Sequence, residues 1–252
     1  MRRWFVWIIA VVLFAVATVA STEGELPAAE DVLREIDRNL QFDTRKSTTV
    51  MQVVDGRRTR EYRMVVYARG LEEAAVEYLA PARDRGTRML KQEDNLWLYM
   101  PRAERVQRIS GHMLRQGMMG SDVSYEDMMD GVNFLDQYEA KVTGSELVDD
   151  RPVWRLEATA KDETVTYPAR VLWVDKEAFI PIRQELFALS GMLLKTWTMT
   201  EIKEIDGRNI PTRMEISDQL RAGSKTVLMM RDISFGIDIE DEIFSLRWLE
   251  RR

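Results

Sequence analysis

A chain of 252 residues with no cysteine and one histidine excludes disulfides, thiolate metal sites and a lipid-modified cysteine. Its net charge of −6 argues against a general binder of nucleic acid or of anionic membrane. The length suits one large domain with a sizeable core, and neither a low-complexity linker nor a fixed-period repeat divides it.

The first 20 residues read as a secretory signal peptide. Arg2 and Arg3 form a positive start, Trp4 to Val19 carries no charge, and small residues at Ala15, Ala17 and Ala20 offer cleavage sites before Glu23 and Glu25. The competing reading is a retained anchor, because the uncharged stretch approaches the roughly 17–25 residues of a spanning helix. Cleavage at Ala17 or Ala20 removes two arginines and no acid, so the net charge moves from −6 to −8 and residues 21–252 remain as one exported domain.

Residues 27–40 place Val32, Leu33, Ile36 and Leu40 at helical spacing, with Glu30 and Asp31 where the helix dipole favours acids. Short strands follow at 48–54, 60–68, 74–79, 87–91, 96–100 and 105–109. A methionine-rich helical stretch comes next, and strands resume at 138–146, 153–160, 169–174, 182–188, 193–205, 209–217 and 225–235. Turn signals such as Asp55-Gly56 and Asp206-Gly207 separate them, so consecutive strands should form an antiparallel meander.

Each strand has one greasy side. Trp154, Leu156 and Ala158 alternate with Arg155, Glu157 and Thr159, and Val227, Met229, Arg231, Ile233 and Phe235 share a parity. Trp197 and Met199 extend the pattern, with Lys195 and Glu201 expected at its wet ends. Two helical segments cannot cover both faces of so wide a sheet. The expected fold is therefore mainly β (α+β): a strongly curved antiparallel sheet, or incomplete barrel, whose apolar concave face is lidded by helices.

Residues 95–130 join an apolar-aromatic strand, a basic strand and the methionine-rich stretch. Their pattern LWLYMP, RVQRI and GSDVSYEDMM resembles the LolA-like family of periplasmic lipoprotein-sorting and lipid-carrier proteins, in particular its "outer membrane lipoprotein-sorting protein" branch. The resemblance runs from about Leu33 to Arg251 and is sharpest over 119–128. It implies a half-barrel whose apolar hollow, closed by helices, holds acyl chains. It also implies a carrier that takes an acylated lipoprotein or lipid from an inner-membrane exporter, crosses the periplasm and passes it to an outer-membrane acceptor.

On that reading the acyl-chain hollow and lid would draw on Trp97, Tyr99, Met113, Met118, Met119, Tyr125, Met128, Met129, Trp154, Leu156, Trp197, Met199 and Met229. The chain's 15 methionines agree with it, because unbranched thioethers adapt to irregular apolar partners. The plainer reading is that they fill gaps in an ordinary core. Arg102, Arg105, Arg108 and Arg115 form a local basic group, either a head-group or partner contact or a solvated edge that discourages strand addition.

Asp122, Glu126, Asp127 and Asp130 lack the spacing of a calcium loop. Ser124 with Asp127 three residues on instead forms a capping box at a helix start. His112 has no nucleophile motif near it, and the chain contains no HExxH, P-loop or GxGxxG pattern, so no enzyme, metal or cofactor is expected. A transmembrane barrel fits poorly with runs such as Arg57-Arg58-Thr59-Arg60-Glu61. A solid-core binding or scaffold module accessory to an envelope transporter remains the alternative to a monomeric carrier.

Overall fold

The computed structural model describes residues 26–131 and 133–251, and the leader expected at residues 1–20 lies outside them. Helix α1 (Ala29–Leu40) carries Glu30 and Asp31 in its first turn and Arg38 in its last, complementary to its dipole. Its buried residues Val32, Leu33 and Ile36 form the stripe that the spacing predicts.

The strands are β1 (Thr44–Asp55), β2 (Arg58–Arg69), β3 (Glu73–Ala80), β4 (Arg88–Gln92), β5 (Asn95–Met100), β6 (Arg105–Ile109), β7 (Tyr138–Val148), β8 (Arg151–Ala160), β9 (Ala169–Asp175), β10 (Pro181–Phe187), β11 (Leu193–Ile205), β12 (Arg208–Asp218) and β13 (Ser224–Phe235). All thirteen expected strands are present, and every neighbouring pair is antiparallel. Asp206 and Gly207 both take positive φ, 51° and 73°, the conformation that lets a two-residue hairpin follow the sheet's right-handed twist.

These strands make a single curved, unclosed sheet in the order β6-β5-β4-β3-β2-β1-β13-β12-β11-β10-β9-β8-β7. The chain therefore enters at the middle, meanders out to one edge at β6, and returns from the other edge at β7. Residues 110–137 join the two edge strands, so they must cross the open mouth of the half-barrel. They do so as 3-10 turns at Gly111–Arg115 and Met118–Gly120, then α2 (Tyr125–Met129) and α3 (Phe134–Gln137).

That lid is more broken than a helical stretch. Met119 has φ 51°, and a Cβ on Gly117 would lie 2.0 Å from the Ser121 carbonyl oxygen, so the backbone folds back on itself where only glycine fits.

Three apolar clusters hold the fold. Under α1, Val32, Leu33 and Ile36 pack on Leu156, Ala158, Leu172 and Val174 of β8 and β9. Under the lid, Met51, Tyr62, Tyr78, Met89, Leu96 and Leu98 pack with Tyr125. On the sheet's outer face, Ala75 and Leu90 are covered by Ile239, Phe244, Trp248 and Leu249 of the C-terminal segment, which ends in α4 (Leu246–Glu250). Fully burying each Leu, Ile or Met side chain contributes roughly 1.5–3 kcal/mol.

The outer cluster corrects one expectation. Trp97 and Tyr99 pack there, against the C-terminal segment, while Leu96, Leu98 and Met100 face the lid. Both sides of β5 are apolar, so alternation alone does not say which side faces in.

A lidded hollow as the candidate functional site

The concave face does not close completely on its lid. A cavity of about 310 Å³ remains between the sheet, α1 and the lid, lined among others by Phe42, Met128, Trp197, Met199, Met214 and Met230. Its size is at the lower end of ligand pockets, roughly 300–1,000 Å³.

Of the residues expected to line a hollow, Met128, Trp197 and Met199 border this cavity. Met113, Met118, Met119, Tyr125 and Met129 pack beside it in the cluster under the lid. Trp154 and Leu156 share a face as expected, but α1 covers them, and Trp154 also packs in a tilted pair with Phe179, ring centroids 5.5 Å apart.

Met229 points the other way, opposite to Leu228, which packs under the lid, and to Met230, which lines the cavity. A bulge explains the misplaced parity. Between the pairs Arg231–Thr48 and Ser234–Lys46, β13 advances three residues while β1 advances two, and Asp232 takes φ 49°. Phe235 therefore faces in with Met230, although the two lie five positions apart.

Three aspartates of the lid each reach a different strand. Ser124 and Asp127 form the expected capping box, with Ser124 N–H donating to Asp127 at 2.7 Å and Asp127 N–H to Ser124 Oγ at 3.2 Å. The same Asp127 carboxylate accepts from the Lys195 ammonium of β11 and from the Tyr167 hydroxyl. Asp130 takes the Arg170 guanidinium of β9, whose Nε donates to the Tyr138 hydroxyl at 2.6 Å. Asp122 accepts from the hydroxyls of Ser224 and Thr226 on β13.

Lys195 is thus buried under the lid rather than at a wet end. Arg170 pairs with Leu186 of β10, and Leu186 pairs with Lys195, so both cations project inward from one row of the sheet. Strands lie about 4.8 Å apart, which sets the two cations roughly 10 Å apart, within reach of acids three positions apart in the lid. Burial pushes the Tyr138 hydroxyl up to about 12, against the neighbouring Arg170 charge, so this group stays a neutral donor.

Neither Arg170 nor Lys195 was singled out as a lid anchor from the sequence. Their signal was a cation at an inward position of an otherwise apolar strand, a place tolerated only when a buried partner exists.

Helix α3 is capped from outside. Asp37 of α1 accepts from the backbone N–H groups of Phe134 and Leu135, each at 2.9 Å, and burial raises its pKa despite those bonds. Asp37→Ala is expected to cost about 1–3 kcal/mol, because two enclosed donors lose their acceptor. Urea denaturation followed by circular dichroism would check it, and a loss below about 0.5 kcal/mol would mean that water replaces the carboxylate.

Arg102, Arg105, Arg108 and Arg115 are exposed on edge strand β6 and the adjoining turns. Arg108 donates to Asn95. Arg88 stands apart from them, pairing with Glu77 and holding the carbonyl of Trp248 at 3.0 Å. Among the described residues, no helix is long and apolar enough to cross a membrane.

Solved structures share this architecture. A DUF1329 family protein from Desulfovibrio piger superposes with a TM-score of 0.80 at 24% identity, over 87% of this chain and 97% of that one. A domain described as a candidate outer membrane lipoprotein-sorting protein from Vibrio parahaemolyticus gives 0.78 at 24% identity, over 88% and 98%. A LolA superfamily protein from Nitrosomonas europaea gives 0.73 at 28% identity, over 88% and 100%. A search of curated proteins finds no match. A family model described as an uncharacterized protein matches residues 70–251, most of the chain. The chain belongs to the family that this model describes, and its fold is that of a LolA superfamily protein.

Proposed function

We propose that this protein is a periplasmic carrier that holds the acyl chains of a lipoprotein or lipid in the lidded hollow and moves them from the inner to the outer membrane. The observation that carries the reading is the apolar cavity on the concave side of a half-barrel whose two edges are bridged by the lid. Each acyl methylene taken from water contributes about 0.8 kcal/mol, so a partly enclosed chain is already held. The lid supplies the exit, because α2 and the turns before it are short and their acids fasten them to the sheet at separate points.

The fold of the relatives supports the same reading, and the methionines of the lid suit a cargo of irregular shape. The arginines on β6 are available for an exporter, an acceptor or a head group. No catalytic step is part of the proposal.

Native mass spectrometry of the protein purified gently from a bacterial periplasm, with lipid extraction, tests it. A bound acylated species that organic solvent removes is the expected result. An apo mass, together with no uptake of a fluorescent fatty acid, would overturn the carrier in favour of a scaffold accessory to an envelope transporter.

A further inference from the structure

Buried polar groups in folded proteins almost always have partners, so exceptions call for an explanation. Among the described residues, three buried side-chain polar atoms have none: Arg45 Nε, Ser47 Oγ and Trp197 Nε1. All three belong to the concave side. Arg45 and Trp197 line the cavity, and Ser47 pairs with Val66, which packs under the lid. All three are able to donate a hydrogen bond, so one acceptor-rich guest would suit any of them.

Arg45 differs from the other cations that reach the cavity. Arg170 meets Asp130, and the Lys91 ammonium is taken by the carbonyls of Leu71 and Met129. The carboxylates at the cavity are engaged as well: Glu73 by Arg69, Asp127 by Lys195 and Asp130 by Arg170. The Arg45 guanidinium lies over the Phe42 ring at 4.5 Å and has no ion pair or hydrogen bond among the described residues. Desolvation lowers its pKa to about 10, which still leaves it charged at neutral pH.

The floor beside it is built from small residues. Arg45 pairs with Ala68, Ala68 with Ala74, and Ala74 with Lys91, so one row across β1 to β4 places two methyl groups between two cations. Phe235, opposite Arg45 on β13, and Met230 continue the apolar wall.

We propose that Arg45 receives the anionic head group, carboxylate or phosphate, of a single-chain amphiphile whose hydrocarbon lies along the methionine and aromatic walls of the hollow. The proposal rests on the carrier reading and narrows its cargo. A volume of about 310 Å³, at the lower end of ligand pockets (roughly 300–1,000 Å³), suits a cargo with one chain. A charge-assisted, fork-shaped contact to the head supplies what the apolar walls lack, namely discrimination between an acid and its ester.

The test is uptake of laurate, methyl laurate and dodecyl phosphate by the protein as purified from periplasm and by Arg45→Met and Arg45→Lys. Delipidation comes first, and displacement of a fluorescent fatty acid is the readout. The parent protein should prefer laurate or dodecyl phosphate to methyl laurate by at least tenfold, and whichever anion leads identifies the head class. Arg45→Met should erase the preference while keeping the ester's affinity and melting no lower than the parent, since it removes an unpaired cation from an enclosed site. Arg45→Lys should keep part of the preference.

Equal uptake of acid and ester by the parent would overturn the role of Arg45 and leave the carrier standing. No uptake of any of the three would overturn the carrier itself. If Arg45→Met does not fold, the parent's acid-to-ester ratio and Arg45→Lys decide the matter.

Discussion

Asp127→Ala is expected to destabilise the protein by roughly 3–5 kcal/mol, the largest single effect in the lid, because it leaves the Lys195 ammonium buried without its counter-charge. The Lys195 and Asp127 side chains are only 10% and 1% exposed, so solvent does little to screen the loss. The capping box is broken as well, since Asp127 also accepts from the Ser124 N–H at 2.7 Å. Lys195→Met in the same background should recover much of the stability, because a neutral apolar chain of similar length needs no partner.

A urea-denaturation cycle over the two single variants and the double variant measures the coupling. A single-variant loss under about 1 kcal/mol would show the pair to be screened and the lid held elsewhere. The same variant should release a bound amphiphile faster than the parent, because it removes the fastening between α2 and β11.

Filling the hollow is the second large effect. Ala68→Leu combined with Ala74→Phe places side-chain volume on the small-residue floor of the cavity. Uptake of a fluorescent fatty acid should fall at least a hundredfold, while the melting temperature stays unchanged or rises, since filling an existing void is among the stabilising substitutions. A fall in stability with uptake retained would place the acyl site outside this cavity. The distinction matters because a destabilised sheet loses any ligand, whereas a plugged and stable one loses only what occupied the space.

Local pattern was enough for the element list. The apolar spacing of residues 27–40, the turn dipeptides and the period-two alternation of the strands act over a few residues, and α1 and all thirteen strands appear where those signals place them. The capping box at Ser124 and Asp127 was legible for the same reason, since both partners lie within one turn. The single apolar face of Trp154, Leu156 and Ala158 was also correct.

Which apolar face meets which layer was decided only by the tertiary structure. Strand β5 is apolar on both sides, and the C-terminal segment, some 140 residues away in sequence, is what claims Trp97 and Tyr99 for the outer face. In β13 the extra residue at Asp232 inverts the parity, which turns Met229 outward and brings Phe235 in. The anchors Lys195 and Arg170 pair with acids 68 and 40 positions earlier, and no local signal links them. The charge of Arg45 likewise has no partner among the described residues, which becomes apparent only once the sheet has curved around it. The sequence by itself determined the strands, the first helix and the lid's cap, because these rest on contacts within a turn or a hairpin. Closure of the lid, the sidedness of the aromatics and the charge left inside the hollow depend on which distant strands become neighbours, and only the folded sheet decides that.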